Sequence, residues 1–288
     1  MRMDAANYIS TLDRLELLNQ EPFRADFAVI DLAVDERFLQ FLYDSDRQGA
    51  VHWRSLLENT RWQASWQAGP VFLEFAGDSH FRDKLKERLT QLPLGILVES
   101  SESPEQVFEW AQGWLLALAD SDERLFRFYD PRSFRPLMAT LQERSRSMVN
   151  PGAAIYWSQS GAWYAYRSAG QTETGDAPEG ISLSQAELLE LPGFRLAGRA
   201  MVYTNVYRDY LPYSENPGVW VLEQLQEANS LGFESASLQE RWLRLRIRNG
   251  APLLGRLDYR EIMNKPDMTP ADRLNAMESI LESTDATT

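Results

Sequence analysis

Leu94-Gly95-Ile96-Leu97-Val98-Glu99, then Ser100-Ser101-Glu102, then Ser103-Pro104-Glu105-Gln106-Val107, holds two elements and the joint between them. The first six residues are an apolar run of strand length. Ser103 stands where an N-cap belongs, Pro104 takes the first helical position, and Gln106 completes a capping box. Val107, Trp110, Ala111, Trp114 and Leu118 then recur at helical spacing. A strand therefore hands over to a helix within a few residues, and the same hand-over repeats along the chain. Upstream, Phe27-Ala28-Val29-Ile30-Asp31 precedes a helical pattern over 35–43 with Phe38, Leu39 and Leu42 on one side. Pro70-Val71-Phe72-Leu73-Glu74-Phe75 precedes another over 79–92. Downstream, Leu125 to Tyr129 reads as a fourth strand, and Asp130-Pro131 opens a helix to about residue 147. Four such alternations favour a sheet covered by helices. Ala154–Trp157 and Trp163–Tyr166 flank Gln159-Ser160-Gly161 and read as a β-hairpin that closes a mixed sheet.

Outside this core the pattern is helical. Tyr8, Leu12, Leu15 and Leu18 predict an amphipathic helix over 4–21. Residues 168–180 are polar and without periodicity, and the main boundary is placed there. Beyond it, Ser182 opens a segment containing Leu188 and Leu191, a longer one covers 217–230 before Gly232, Ser237 and Glu240 form a capping box, and Thr269-Pro270 starts the last helix. The expected organisation is a mixed α/β (α+β) lobe over 1–170, with a central sheet flanked by helices, and a smaller all-helical lobe over 181–288.

Composition narrows the chemistry. The chain has 288 residues, 44% hydrophobic, with 29 Lys and Arg against 42 Asp and Glu, a net charge of −13. Such an acidic balance argues against nucleic acid as the main partner, because phosphate binding relies on a positive field. Lys84, Lys86 and Lys265 are the only lysines, so 26 of the 29 cations are Arg, the side chain suited to bidentate contacts. With no cysteine there are no disulfides, thiolate nucleophiles or Cys-based metal sites, which fits a reducing compartment. Asp4, Asp13 and Glu16 interrupt the first residues, so no secretory signal is read there. No stretch approaches the roughly 18 apolar residues of a membrane span. The expectation is a soluble cytoplasmic protein, without membrane insertion, cofactor or metal.

Enzyme motifs are absent: no phosphate loop, no G-x-S-x-G elbow, no H-E-x-x-H. His52 and His80 have no neighbouring ligand. Asp44-Ser45-Asp46 starts like a calcium loop but has Gln48 and Ser55 where acidic ligands are needed. The most distinctive stretch is Leu125-Phe126-Arg127-Phe128-Tyr129-Asp130-Pro131-Arg132. On a strand, Phe126 and Phe128 share one face, Arg127 and Tyr129 the other. Asp130 caps the following helix, where its charge also meets the helix dipole. Arg127, Arg132 and Arg135 either share Asp130 or present an anion-binding surface.

This stretch, with the order of the pieces before it, resembles the effector-chaperone (adaptor) family of bacterial type VI secretion systems, whose domain of initially unknown function is encoded beside valine–glycine-repeat spike proteins and toxic effectors. The residues that carry the likeness are Arg127-Phe128-Tyr129-Asp130-Pro131-Arg132, a strand ending in Asp at Ala28–Asp31, a Gly-Pro strand at Gly69–Leu73, and Gly95-Ile96-Leu97-Val98-Glu99-Ser100. It spans about residues 25–160, with a weaker echo at Leu231–Ser235, Asn249-Gly250 and Thr269-Pro270. The helix over 107–118 departs from the family pattern, with Glu109 and Trp114 where basic residues are usual. The resemblance implies a non-enzymatic protein that binds a secreted effector in the cytoplasm and helps load it onto the spike protein. On that reading Arg127, Tyr129, Asp130, Pro131, Arg132 and Arg135 are structural or touch spike or effector.

Two further surfaces are candidates for holding an effector. Tyr203, Tyr207, Tyr210 and Tyr213 recur with Arg208 among them. In Arg241-Trp242-Leu243-Arg244-Leu245-Arg246-Ile247-Arg248, helical spacing puts Leu238, Trp242 and Leu245 on one face and Arg241, Arg244 and Arg248 on another. The effector-binding candidates are thus Tyr207, Tyr210, Arg241, Trp242, Arg244 and Arg248. Two alternatives stay open: an immunity protein that neutralises a toxin, and a carboxylate-dependent hydrolase, which requires a deep pocket with a carboxyl of raised pKa.

Overall fold

Phe27–Asp31 (β1) is buried at all five positions, and the sheet is built outward from it. In the computed structural model, which describes residues 3–15, 24–45, 49, 51–75, 77–118, 124–144, 152–167, 182–249 and 253–285, β1 lies between Pro70–Glu74 (β3) and Gly95–Ser100 (β4). His52–Ser55 (β2) extends the sheet beyond β3, and the hairpin Gly152–Gln159 (β5) and Ala162–Arg167 (β6) extends it beyond β4. The order is β2-β3-β1-β4-β5-β6. Every pairing is antiparallel, so the sheet is not mixed as expected. The reason is the position of β1. β3 and β4 run in the same direction and are joined by a helix, as in a crossover unit, but β1 is inserted between them and pairs antiparallel with both.

Both faces of the sheet are covered. On one, Phe27, Val29, Ile96, Val98, Ile155 and Trp157 meet Pro104–Leu116 (α4) and Pro131–Leu141 (α5). On the other, Ala28, Ile30, Leu73, Leu97 and Tyr156 meet Phe38–Ser45 (α2) and Ser79–Gln91 (α3). Two-sided burial explains why β1 and β4 read as continuous apolar runs rather than alternating ones. The capping box at Ser103 and Gln106 is formed. Ser160 and Gly161, with φ of 54° and 77°, make the two-residue hairpin turn between β5 and β6, whose twist matches that of the strands.

One expected strand needs correction, and two other elements differ in extent or were not foreseen. Leu125–Tyr129 joins no strand among the described residues and turns at Phe128 and Tyr129. Its Phe126 N–H donates to the Leu115 carbonyl at 2.8 Å and its Phe128 N–H to the Phe126 carbonyl at 2.9 Å. Phe126 and Phe128 pack on Trp114 and Trp110 of α4, and Tyr129 enters the same core against Phe128. The aromatic alternation therefore serves a helix, not a ladder. The N-terminal helix is described as Ala5–Asp13 (α1), and residues 16–21 of the longer expected helix lie outside the described residues. β2 had not been anticipated, being four residues long and only partly covered.

The C-terminal helices are Gln185–Val206 (α6), Pro217–Ser230 (α7), Ala236–Asn249 (α8), Leu257–Met263 (α9) and Pro270–Asp285 (α10). Their caps differ in detail from those expected. Ser184 and Glu187, not Ser182, form the box that opens α6. Ser235, not Ser237, accepts from the Leu238 N–H at the start of α8. Thr269 and Asp272 cap α10. Trp242, Leu245, Phe233, Tyr259, Leu274 and Met277 form a core among α7–α10. By packing, residues 11–195 make one unit and residues 1–10 with 196–288 another. The division falls within α6. Residues 168–180, where the boundary had been placed, lie outside the described residues. No helix among the described residues is long and apolar enough to cross a membrane.

Gly95 marks the tightest point of the sheet. A Cβ there would lie 1.9 Å from the Val29 carbonyl oxygen, a backbone atom of β1 that cannot step aside. Gly95→Ala should therefore lower the unfolding free energy by about 3 kcal/mol or more, through forced separation of β1 and β4. Urea denaturation gives the value, and an unchanged midpoint would refute this account of the strand pair.

Candidate functional site

Asp31 ends β1, and its side chain is buried with the residue 3% exposed. A carboxylate in that position needs partners. It accepts from the Ala33 N–H at 3.0 Å and from Arg127, with which it forms an ion pair. The Tyr129 ring lies in the adjacent core, and burial, reinforced by the charge of Asp31, drives its phenol pKa well above the ordinary range. Asp130 caps α5 through the Arg132 N–H at 2.9 Å and also takes the Arg132 guanidinium on both oxygens, at 2.9 and 2.8 Å. That hydrogen bonding raises the Arg132 pKa. Pro131 is buried at the first position of α5. Arg135 turns elsewhere: its Nη2 donates to the Leu12 carbonyl at 2.9 Å and lies 3.8 Å from Asp13. Its pKa is lowered by burial.

The three arginines therefore do not share Asp130. Each has its own acceptor, and only Arg132 uses the capping carboxylate. Arg127 and Arg132 nonetheless keep much of their side chains in solvent, so the stretch is structural beneath and cationic above. Asp31 is the partner that reasoning from the stretch alone missed, because it stands far upstream of Arg127. The Asp at the end of the first strand was the available signal.

The second unit separates its candidates sharply. Trp242 is fully buried in the helical core and touches no solvent, which removes it as a contact for an effector. Arg241 is engaged by Glu278 at 2.9 and 2.6 Å and by Asn275 at 2.6 Å, all on α10. Its pKa is raised, chiefly by the hydrogen bonds it donates to Glu278. Arg244 and Arg248 lie on the exposed side of α8. Tyr207 donates to Glu240 at 2.6 Å, and burial together with that bond pushes its phenol up to about 12. The Tyr203 ring lies beside it at 6.2 Å, tilted by 60°. Tyr210 is 72% exposed, Tyr213 is wholly exposed, and Val206 stands out from the end of α6. Of the expected residues, Tyr207, Tyr210, Arg244 and Arg248 are at the surface, with Val206 and Tyr213 added.

A shallow depression of about 250 Å³ lies on the edge strand β2, lined by Trp53, Arg54, Ser55, Glu58, Gln63 and Trp66. The two indoles stack at 5.6 Å. Glu58 is held there by Arg54 at 3.0 Å, which also bonds Glu105 at 2.6 Å and covers the Phe108 ring. Among the described residues, two carboxyls elsewhere have clearly displaced pKa values, and both move down. Burial opposes the shift at Glu187, but Ser184 and Arg144 outweigh it. At Asp258 the Arg256 fork dominates. A general acid would need the opposite shift.

Residues 27–148 match the family model described as a domain of unknown function, DUF4123. The match begins at the first residue of β1 and takes in Asp31, the Arg127–Arg132 stretch and all of α5. β5 and β6 lie beyond it, although they belong to the same sheet. No curated protein and no solved structure matches the chain.

Replacing Arg127 by Ala leaves the buried Asp31 without its counter-charge. The half-exposed guanidinium tempers the effect, and a loss of about 1–3 kcal/mol in unfolding free energy is expected. Combined with Asp31→Ala, the two losses should fall well short of additive in a double-mutant cycle. Full additivity would mean the pair does not interact. In the other unit, Arg241→Ala should cost about 1–2 kcal/mol. Arg244→Ala, at an exposed site without an ion pair among the described residues, should stay within about 0.5 kcal/mol of wild type. Thermal melts of the two variants separate staple from surface.

Proposed function

We propose that the protein is a non-enzymatic adaptor that binds a type VI secretion effector in the bacterial cytoplasm and helps load it onto the valine–glycine-repeat spike protein. The observation that carries this reading is the Arg127-Phe128-Tyr129-Asp130-Pro131-Arg132 stretch, with which the resemblance to that adaptor family began and which lies inside the family match over 27–148. The surface chemistry supports it. An adaptor needs aromatic and guanidinium anchors with a polar rim. Tyr210, Tyr213 and Val206 expose apolar area that a solitary soluble surface has no use for, and Arg244 and Arg208 put cations in the same unit. On this reading the surface of α6 and α8 holds the effector, and the unit over 11–195 carries the shared scaffold and meets the spike.

Affinity capture of the tagged full-length protein from its native cells, with partners identified by mass, is the test. The expected result is an effector with toxin-like sequence, recovered with or without the spike subunit. Tyr210→Ala combined with Tyr213→Ala should cut effector recovery at least about tenfold, as the loss of two interface aromatics implies, while the melting temperature stays that of wild type. A toxin bound and neutralised, with no association with the spike, would instead make the chain an immunity protein. Recovery of no partner at native expression and moderate salt would overturn the adaptor reading.

A further inference from the structure

Arg195 on α6 stands apart from the other arginines of its unit. Its residue surface is exposed, its guanidinium carbon lies 5.9 Å from the centre of the Phe126 ring, and partial burial of the charged group lowers its pKa, against the opposing pull of Asp130. It makes no hydrogen bond or ion pair with any described residue. Arg132 spends Nε and Nη2 on Asp130, leaving its Nη1 donors uncommitted. Arg127 spends Nη2 on Asp31 and also bonds the Tyr129 phenol, leaving part of its fork uncommitted. Three guanidinium groups thus gather around two carboxylates, and the group left over is an Arg seated against an aromatic ring.

We propose that Arg195, with the uncommitted N–H groups of Arg132 and Arg127, receives a carboxylate of a partner protein, an Asp or Glu side chain on an acidic segment. Charge selects the carboxylate. One monoanion balances the single excess cation, whereas a phosphate dianion would leave the cluster with a net negative charge. A nucleic-acid strand would also have to approach a chain that carries a net charge of −13. Phe126 adds a second element, because its ring attracts the guanidinium from 5.9 Å without using any N–H donor, so these stay available for a planar, two-point contact. Arg132 is held rigid by the capping Asp130, so its orientation is set before any partner arrives. This site does not depend on the adaptor reading and gives the Arg127–Arg132 stretch a binding role of its own.

The test is nuclear magnetic resonance of the arginine Nε–Hε groups in the full-length protein, titrated with an acetylated and amidated Glu-Ala-Glu peptide at constant ionic strength. The expected result is a saturable movement of the Arg195 and Arg132 signals while Arg241, already committed to Glu278, stays still. Arg195→Gln should weaken the peptide about tenfold, the worth of a charge-assisted contact, at unchanged melting temperature. Arg195→Lys, which keeps the charge but loses the fork, should fall between. A parallel titration with inorganic phosphate should give weaker binding. Tighter phosphate binding, movement that follows salt alone, or wild-type affinity in both variants would overturn the proposal.

Discussion

A carboxylate removed from water at the end of the innermost strand sets the conditions for much of the N-terminal unit. Burial strips Asp31 of its hydration, a cost that a nearby cation offsets, and Arg127 is the cation that reaches it. That requirement fixes where the segment after α4 must run. Once Arg127 is held at the edge of β1, the flanking Phe126 and Phe128 fall onto Trp114 and Trp110, and Asp130 arrives at the start of α5 in position to cap it. One ion pair thus ties the centre of the sheet to a helix start and to a run of aromatic core contacts. A short peptide motif can therefore act as structure from below and as a charged surface from above.

The arginine bias of the chain resolves into two uses. Arg88 with Asp35, Arg135 with the Leu12 carbonyl, Arg241 with Glu278 and Arg246 with Gln224 are internal staples, each joining residues distant in sequence. The planar fork of Arg suits this, because one side chain meets two acceptors at fixed angles. Among the described residues, Arg195 and Arg244 are spent on no such partner and remain for the surface. The functional question therefore turns on which cations the fold has already used.

Patterns that depend on local periodicity were legible in the sequence, and patterns that depend on distant partners were not. The strands at 27–31, 70–74 and 95–100, the capping box at Ser103 and the hairpin around Ser160-Gly161 all follow from short-range rules. Leu125–Tyr129 misled because alternating aromatics look alike whether they face a neighbouring strand or the tryptophans of a helix. β2 escaped because four polar and aromatic residues, one exposed and three half-covered, carry no period worth counting. On α8 the helical spacing correctly grouped Trp242 with Leu238 and Leu245, and that grouping already implied a core face rather than a contact for a partner. Arg241 could not be assigned in the same way, since its acceptor Glu278 belongs to another helix. Arg195 carried only a faint mark, a single cation between Phe194 and Leu196.

The central place of β1 also has a consequence in time. Its two partners are made after it: β3 begins at residue 70 and β4 at residue 95. Ile30 therefore waits for about 65 further residues before Gly95 can pair with it, which at roughly 5–20 residues per second is a delay of several seconds during synthesis. Until β3 emerges, a strand apolar on both faces has neither edge satisfied, and until β4 follows it has only one. The order of the strands in the chain thus makes the earliest apolar segment of the sheet the one most dependent on shelter until its neighbours emerge.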